Sequence, residues 1–281
     1  MNQKVQLTGC DASSLSDKAL MGTTREITAT DGHKIQWVEF GCGQPIVVSP
    51  ALGTPLASWF PAISALQEDF KLVFVLPRGG CEGPTTQDPG ALTVERRAED
   101  LAELINSLGF QEYFIIAHSS GVAPVVVSLN QLHMPPSHVC LISARYCEGQ
   151  PVGAEELLER ARGNTGFMNV VQSIVVGYSP PSVAGVMREY LRDFGRLEAL
   201  LYSFEQSRAF RYVEPWCAGI AMTFVMAEHD PEDVRQSTQE IIDTHSKEPW
   251  ALVDVPGAGH FFVQDDGAAA AALIARSLSQ A

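Results

Sequence analysis

Short apolar runs alternate with longer amphipathic stretches along most of this chain, and the spacing of the two predicts where strands and helices fall. Residues 26–30 and 34–40 read as a β-hairpin joined by Asp31-Gly32, a pair that tolerates the positive φ of a tight turn. Gly41-Cys42-Gly43-Gln44-Pro45 is then a turn rather than a phosphate loop, because it precedes a strand at 46–49 instead of following one and opening a helix. Beyond it come a helix at 56–68, a strand at 71–76, a helix at 94–108, a strand at 112–117, a helix at 122–129 and a strand at 138–143. The rhythm stops between 146 and 216, where helical periodicity continues without a strand and Pro151, Pro180, Pro181 and Pro215 punctuate it. It resumes with a strand at 220–227, a helix at 233–244, a strand at 250–255 and a helix at 268–278.

Such alternation predicts an α/β fold with a mostly parallel sheet and helices on both faces. The expected division is a core at 23–145 and 217–281, an inserted helical cap at 146–216, and a polar, serine-rich arm at 1–22 without a clear period, expected to be flexible.

Composition narrows the class. With 46% hydrophobic and 19% charged residues, the 281-residue chain has the makeup of a folded globule with a full-sized core. A net charge of −14 without any cluster of Lys and Arg argues against a nucleic-acid surface. Cys10, Cys42, Cys81, Cys140, Cys147 and Cys217 are scattered with no Cys-x-x-Cys pair, which suggests neither zinc nor a disulfide framework and fits reduced thiols in a cytosol. The first twenty residues lack a basic start followed by an apolar core, and no apolar run approaches the length of a membrane span. The expectation is a cytoplasmic protein without membrane or nucleic-acid partners, acting on a small molecule, with a homodimer left open.

The chemistry centres on Phe114-Ile115-Ile116-Ala117-His118-Ser119-Ser120-Gly121-Val122, an apolar strand that breaks at a serine with small residues two positions to either side. That is the outline of a nucleophile elbow, in which a strained serine tips a strand-to-helix turn. Ser120 as the nucleophile would put His118 and Val122 at the flanking positions, where bulk obstructs the turn. A serine hydroxyl needs an imidazole as base and a carboxylate to orient it. Two loops after predicted strands carry those types, Glu228-His229-Asp230-Pro231 and Gly257-Ala258-Gly259-His260, so the candidates run in the order Ser119, Asp230, His260. Asp233, Glu228 and Glu148 are the alternative acids. His118 and His229 lack metal-ligand spacing and read as orienting or structural neighbours.

From about residue 24 to the end, the chain resembles the α/β-hydrolase superfamily. The resemblance rests on the elbow, the triad order, Gly43-Gln44-Pro45, Leu52-Gly53-Thr54 with Ser58-Trp59, Arg78-Gly79 and the glycine-flanked His260. Departures exist: Pro50-Ala51 replaces the usual His-Gly, Ala117 stands where glycine is commoner, Leu76-Pro77 replaces the aspartate before Arg-Gly, and Cys81 takes a position often held by glycine. The oxyanion loop is similar to that of enol-lactonases, and the chain as a whole resembles enol-lactonase and esterase-like members. The resemblance implies no cofactor, and an oxyanion hole built from the backbone N–H groups of Leu52 and Ser120. It implies a serine hydrolase of a small, largely apolar ester or lactone, with acyl transfer, C–C bond hydrolysis or a receptor role as relatives' alternatives. Dehalogenase and epoxide hydrolase chemistry is disfavoured, since those relatives carry aspartate where this chain has Ser119. Phe167, Met168, Tyr178, Met187, Tyr190, Phe194, Tyr202 and Phe204 are candidates to line a pocket under the cap, most of them expected to pack it instead, and Trp59 is either core or pocket wall.

Overall fold

The computed structural model describes residues 3–5, 22–86, 88–144, 146, 152–177, 179–212, 219–245 and 247–278. Its strands are β1 (Gln3–Val5), β2 (Gly22–Thr28), β3 (Lys34–Phe40), β4 (Gln44–Ser49), β5 (Phe70–Leu76), β6 (Phe114–His118), β7 (His138–Ile142), β8 (Met222–Ala227) and β9 (Trp250–Val255). They form one sheet in the order β1-β2-β3-β5-β4-β6-β7-β8-β9. Every pairing from β5 through β9 is parallel, while β1, β2 and β3 add an antiparallel edge. Within the segment expected as a flexible arm, Gln3–Val5 runs antiparallel to β2, a three-residue pairing too short to leave an alternation in the sequence.

The sheet is buried on both sides, which is why its central strands read as unbroken apolar runs. On β6, Ile115 and Ala117 pack with Leu101, Leu104 and Ile105 of α2 (Val94–Leu108) and with Val122 and Val125 of α3 (Val122–Ser128). Ile116, between them, packs on the other face with Ile63 of α1 (Phe60–Leu66) and Ile274 of α10 (Gly267–Leu278). The helix expected over 56–68 begins as a single 3₁₀ turn at Leu56–Trp59, and α1 starts only at Phe60 with Pro61 in its first turn, where a missing N–H costs nothing. Arg78 is a hub behind β5: it grips Asp100 of α2 in two parallel hydrogen bonds of 2.8 and 2.7 Å and reaches Asp31 of the β2–β3 turn at 2.6 Å.

Between β7 and β8, the described residues hold α4 (Ala154–Ala161), α5 (Thr165–Val176), α6 (Ala184–Tyr190) and α7 (Phe194–Ala209), and no strand. Their apolar faces form a separate cluster that includes Leu158, Val171, Met187, Leu197 and Leu200 and takes in Leu52 and Cys81 from the core loops below. Polar ties reinforce that seating: Tyr190 donates its hydroxyl to Glu82 at 2.7 Å and Arg196 donates to the Cys81 carbonyl at 3.2 Å. None of the described helices is long and apolar enough to cross a membrane.

Candidate active site

Three loops at the carboxyl ends of parallel strands converge above the sheet, the place where this architecture gathers functional groups. At the end of β6 the chain turns through Ser119, whose φ of +51° is rare for a residue with a Cβ. The turn closes because Gly121 has no side chain: a Cβ there would come within 2.4 Å of the Ser49 carbonyl and 2.5 Å of the Pro50 carbonyl. Ala117, buried on β6, fits where glycine is commoner.

His260, on the loop after β9, faces Ser119 with Nε2 3.0 Å from the serine Oγ. Its Nδ1 lies 2.7 Å from Asp230 Oδ1 on the loop after β8. A carboxylate only accepts, so Nδ1 carries the hydrogen and Nε2 is left to accept from Ser119, the tautomer a general base requires. The Asp230 side chain has no exposed surface. Burial raises its pKa, yet hydrogen bonds from His260, Ser143 and the Ala227 backbone outweigh burial and hold the carboxyl below its ordinary value.

Ser143 donates to Asp230 Oδ2 at 2.7 Å, and the Ala227 N–H donates to the same oxygen at 2.8 Å. Nothing in the sequence singled Ser143 out, since it looks like the last residue of a strand. The structure shows it leaving the strand at φ +50°, the second such residue beside Ser119 among the described non-glycine residues. A positive φ where glycine is absent is a signal of local constraint, but a backbone angle is invisible to residue pattern.

The other sequence candidates separate by position. Glu228 accepts from the Gly257 N–H at 2.6 Å and ties the two loops together, and Asp233 accepts from the Val234 N–H in the first turn of α8 (Glu232–Thr244). Glu148 lies outside the described residues. His118 is fully buried directly before Ser119 and donates from Nε2 to the His260 carbonyl at 2.9 Å, so it holds the histidine loop by its backbone. Burial, with a smaller push from His260, lowers its pKa to about 3, which keeps it neutral. His229 is exposed. Trp59 is core, edge-on to Phe74 and His118.

The Leu52 N–H, one of the two expected oxyanion donors, points into the elbow but donates to Ser120 Oγ at 3.0 Å. The other, the Ser120 N–H, belongs to the residue after the serine. In this arrangement a hydroxyl occupies one of the two donors expected from the sequence.

A cleft of about 340 Å³ opens onto Ser119 and His260. Its apolar wall includes Ala51, Ala123, Val152, Phe204, Tyr212 and Val234, and its polar positions include Ser143, Ser207 and Arg208. Of the cap residues considered from the sequence, Phe204 lines it. Met187 is buried in the cap's own cluster, with Phe167, Met168, Phe194 and Tyr202 packed against that cluster. Tyr190 binds Glu82, and Tyr178 lies outside the described residues.

Fold and site define a class, and sequence comparison agrees with it: residues 46–273 match the profile of the Alpha/beta hydrolase family, and the chain belongs to that family. Among solved structures it is similar to the enol-lactonase of Burkholderia xenovorans, with TM-score 0.71 and 18% identity, covering 91% of this chain and all of that one. A thermophilic esterase from Thermogutta terrifontis gives TM-score 0.68 at 18% identity over 92% of this chain and 98% of the other, and an epoxide hydrolase from Vigna radiata gives 0.68 at 16% over the same shares. Likeness at these identities is likeness of fold. Sequence matches to curated proteins are local: "Putative carbamate hydrolase RutD" of Enterobacter cloacae is 31% identical over 80 residues, 28% of this chain and 30% of that protein. The match therefore spans under a third of the relative's length.

Proposed function

We propose that this hydrolase-family protein is a serine hydrolase that cleaves a small, largely apolar carboxylic ester or lactone through an acyl-enzyme on Ser119. The single observation behind the reading is the continuous chain from Ser119 Oγ to His260 Nε2 at 3.0 Å and from His260 Nδ1 to Asp230 at 2.7 Å. Ser119 Oγ attacks the acyl carbon while His260 takes its proton, and the imidazolium is stabilised by the Asp230 carboxylate. The tetrahedral oxyanion is held by the Ser120 and Leu52 amides, the latter after the Ser120 hydroxyl turns aside. His260 then gives its proton to the leaving alkoxide, draws one from water, and the resulting hydroxide releases the acid and regenerates the Ser119 hydroxyl.

The apolar walls of the cleft support the substrate class, and Ser119 at the elbow supports acyl chemistry over mechanisms that need a carboxylate there. A panel of p-nitrophenyl esters of graded length beside a set of lactones tests the reading. Turnover should be found in it, should disappear in Ser119→Ala with little change in thermal midpoint, and a fluorophosphonate should add its mass at Ser119 alone. Retained hydrolysis, or full labelling of the alanine variant, would overturn the assignment.

A further inference from the structure

On α7, Phe204, Ser207 and Arg208 are three and four residues apart, so they share one helix face, and all three line the cleft that holds Ser119 and His260. Behind Ser207 stands Arg97 of α2, only 4% exposed. It donates from Nη2 to Ser207 Oγ at 2.8 Å and from Nε to the Thr93 carbonyl at 3.3 Å, while Nη1 is buried with no partner. Burial draws its pKa down to about 10, leaving it a cation at neutral pH.

Among the described residues no carboxylate hydrogen-bonds to this cation, and Glu95 and Asp100 act on it only through space, too weakly to offset its burial. Asp100, on the same helix, has both oxygens taken by Arg78 and one shared with Arg96. Scarcity does not explain it, because the chain has 33 acidic residues against 19 Lys and Arg. A neighbouring cavity of about 30 Å³, lined in part by Arg97 and Ser120, has room for about one water. Water satisfies a donor but supplies no counter-charge, and a buried charge without a hydrogen-bonded counter-ion is costly. Ser207 accepts from the guanidinium, so its own hydroxyl hydrogen remains to donate into the cleft.

We propose that the cleft takes an ester or lactone whose acyl part carries a carboxylate, bound by the Ser207 hydroxyl in front of the buried Arg97 guanidinium. This inference rests on the ester or lactone reading above. The carboxylate brings a negative charge close to the edge of the buried pocket, while the apolar wall takes the methylenes between that carboxylate and the reacting carbonyl.

Monomethyl adipate and methyl hexanoate, alike in acyl length and different in the terminal charge, test it directly. Wild type should favour the half-ester in kcat/KM by tenfold or more, chiefly through KM, and added salt should shrink the preference. In Ser207→Ala and Arg97→Met the ratio should fall to about one, and Arg97→Lys should recover part of it. Were Arg97 only a strut between α2 and α7, its replacement would lower the thermal midpoint and leave the ratio unmoved, which overturns the proposal; so does a wild-type ratio of one or less. Ser207→Ala keeps the test available if Arg97→Met does not fold. Adipate itself gives a readout free of turnover. It should raise the thermal midpoint of wild type and not of the Ser207→Ala protein, and inorganic phosphate should do so less. Equal stabilisation by phosphate would mark a site for free anions and overturn the substrate assignment. If no ester or lactone is hydrolysed yet adipate stabilises wild type in this Ser207-dependent way, the carboxylate site stands and the hydrolase reading falls.

Discussion

Ser143 gives its only hydroxyl hydrogen to Asp230, across 2.7 Å, from a backbone conformation that residues with a side chain rarely adopt. Strain retained beside a carboxylate that already receives hydrogen bonds from His260 and from Ala227 marks the contact as one that serves the site rather than the fold.

Removing that donor should raise the Asp230 pKa and leave the carboxylate less firmly held beside His260. In Ser143→Ala, kcat for the best ester should therefore fall roughly tenfold, the scale of one hydrogen bond to a charged group. Ser143→Gly should match it kinetically but be more stable by about 1 kcal/mol, because glycine adopts positive φ without penalty. Coincident stabilities would show that the conformation is unstrained.

The Ser120 hydroxyl accepts from the Leu52 N–H, the group proposed above to hold the oxyanion. Ser120→Ala should raise kcat/KM for a simple ester by roughly two- to tenfold, the value of one neutral hydrogen bond no longer broken on the way to the transition state. A loss of a hundredfold would mean instead that the hydroxyl itself donates to the oxyanion.

His118 ties acid stability to the site. Its folded-state pKa of about 3 lies below the ordinary 6.5, so as pH falls the unfolded chain binds a proton that the folded chain refuses. The contribution is fully present above about 6.5 and is lost as pH drops toward 3, by up to about 1.4 kcal/mol per pH unit. Burial depresses His33 and His138 in the same direction, and the lowered Asp230 adds its own loss below about 4. Urea unfolding at several pH values between 4 and 7 should show a shallower decline in His118→Leu than in wild type; parallel slopes would contradict the burial account.

Phe204 and Tyr202 both pack against the cap's own cluster, but Phe204 also lines the cleft and Tyr202 does not. Each added methylene on the acyl chain should help by roughly 0.8 kcal/mol, about fourfold, until the wall is reached, then hurt. Phe204→Ala should shift the optimum to longer chains and Tyr202→Ala should leave it in place. A flat length profile in wild type would remove the apolar wall as a determinant of specificity.

Much of the architecture is legible because its signals are local. Helix α2 starts and stops where expected, since Thr93 caps it by accepting from the Arg96 N–H and Gly109 ends it in the left-handed region. The elbow is legible for a similar reason, as small flanking residues are a steric demand written within five positions. Asp230 and His260 are findable as polar residues in loops after apolar strands, and the structure brings His260 to Ser119 and Asp230 to the far side of His260. Ser143 and Arg97 are different. Their meaning lies in partners 87 and 110 residues away, and a serine ending a strand or an arginine on an amphipathic helix has an ordinary local explanation. Periodicity shows that Phe167, Tyr202 and Phe204 belong to apolar faces, but not which face meets the cleft and which meets a neighbouring helix.

The insertion between β7 and β8 has a practical consequence for anyone exchanging caps to redirect specificity. Its entry follows Ser143 by a few residues, and its exit leads into the strand whose end carries the N–H of Ala227 and the turn of Asp230. Splice points set too close to either strand would disturb the acid's donors along with the roof. Under the proposed function, a chimera that lost activity would then report a displaced Asp230–His260 pair rather than an unsuitable chamber. Junctions beyond Tyr146, which is anchored through its N–H to Ser237, and ahead of β8 would keep those two failures apart.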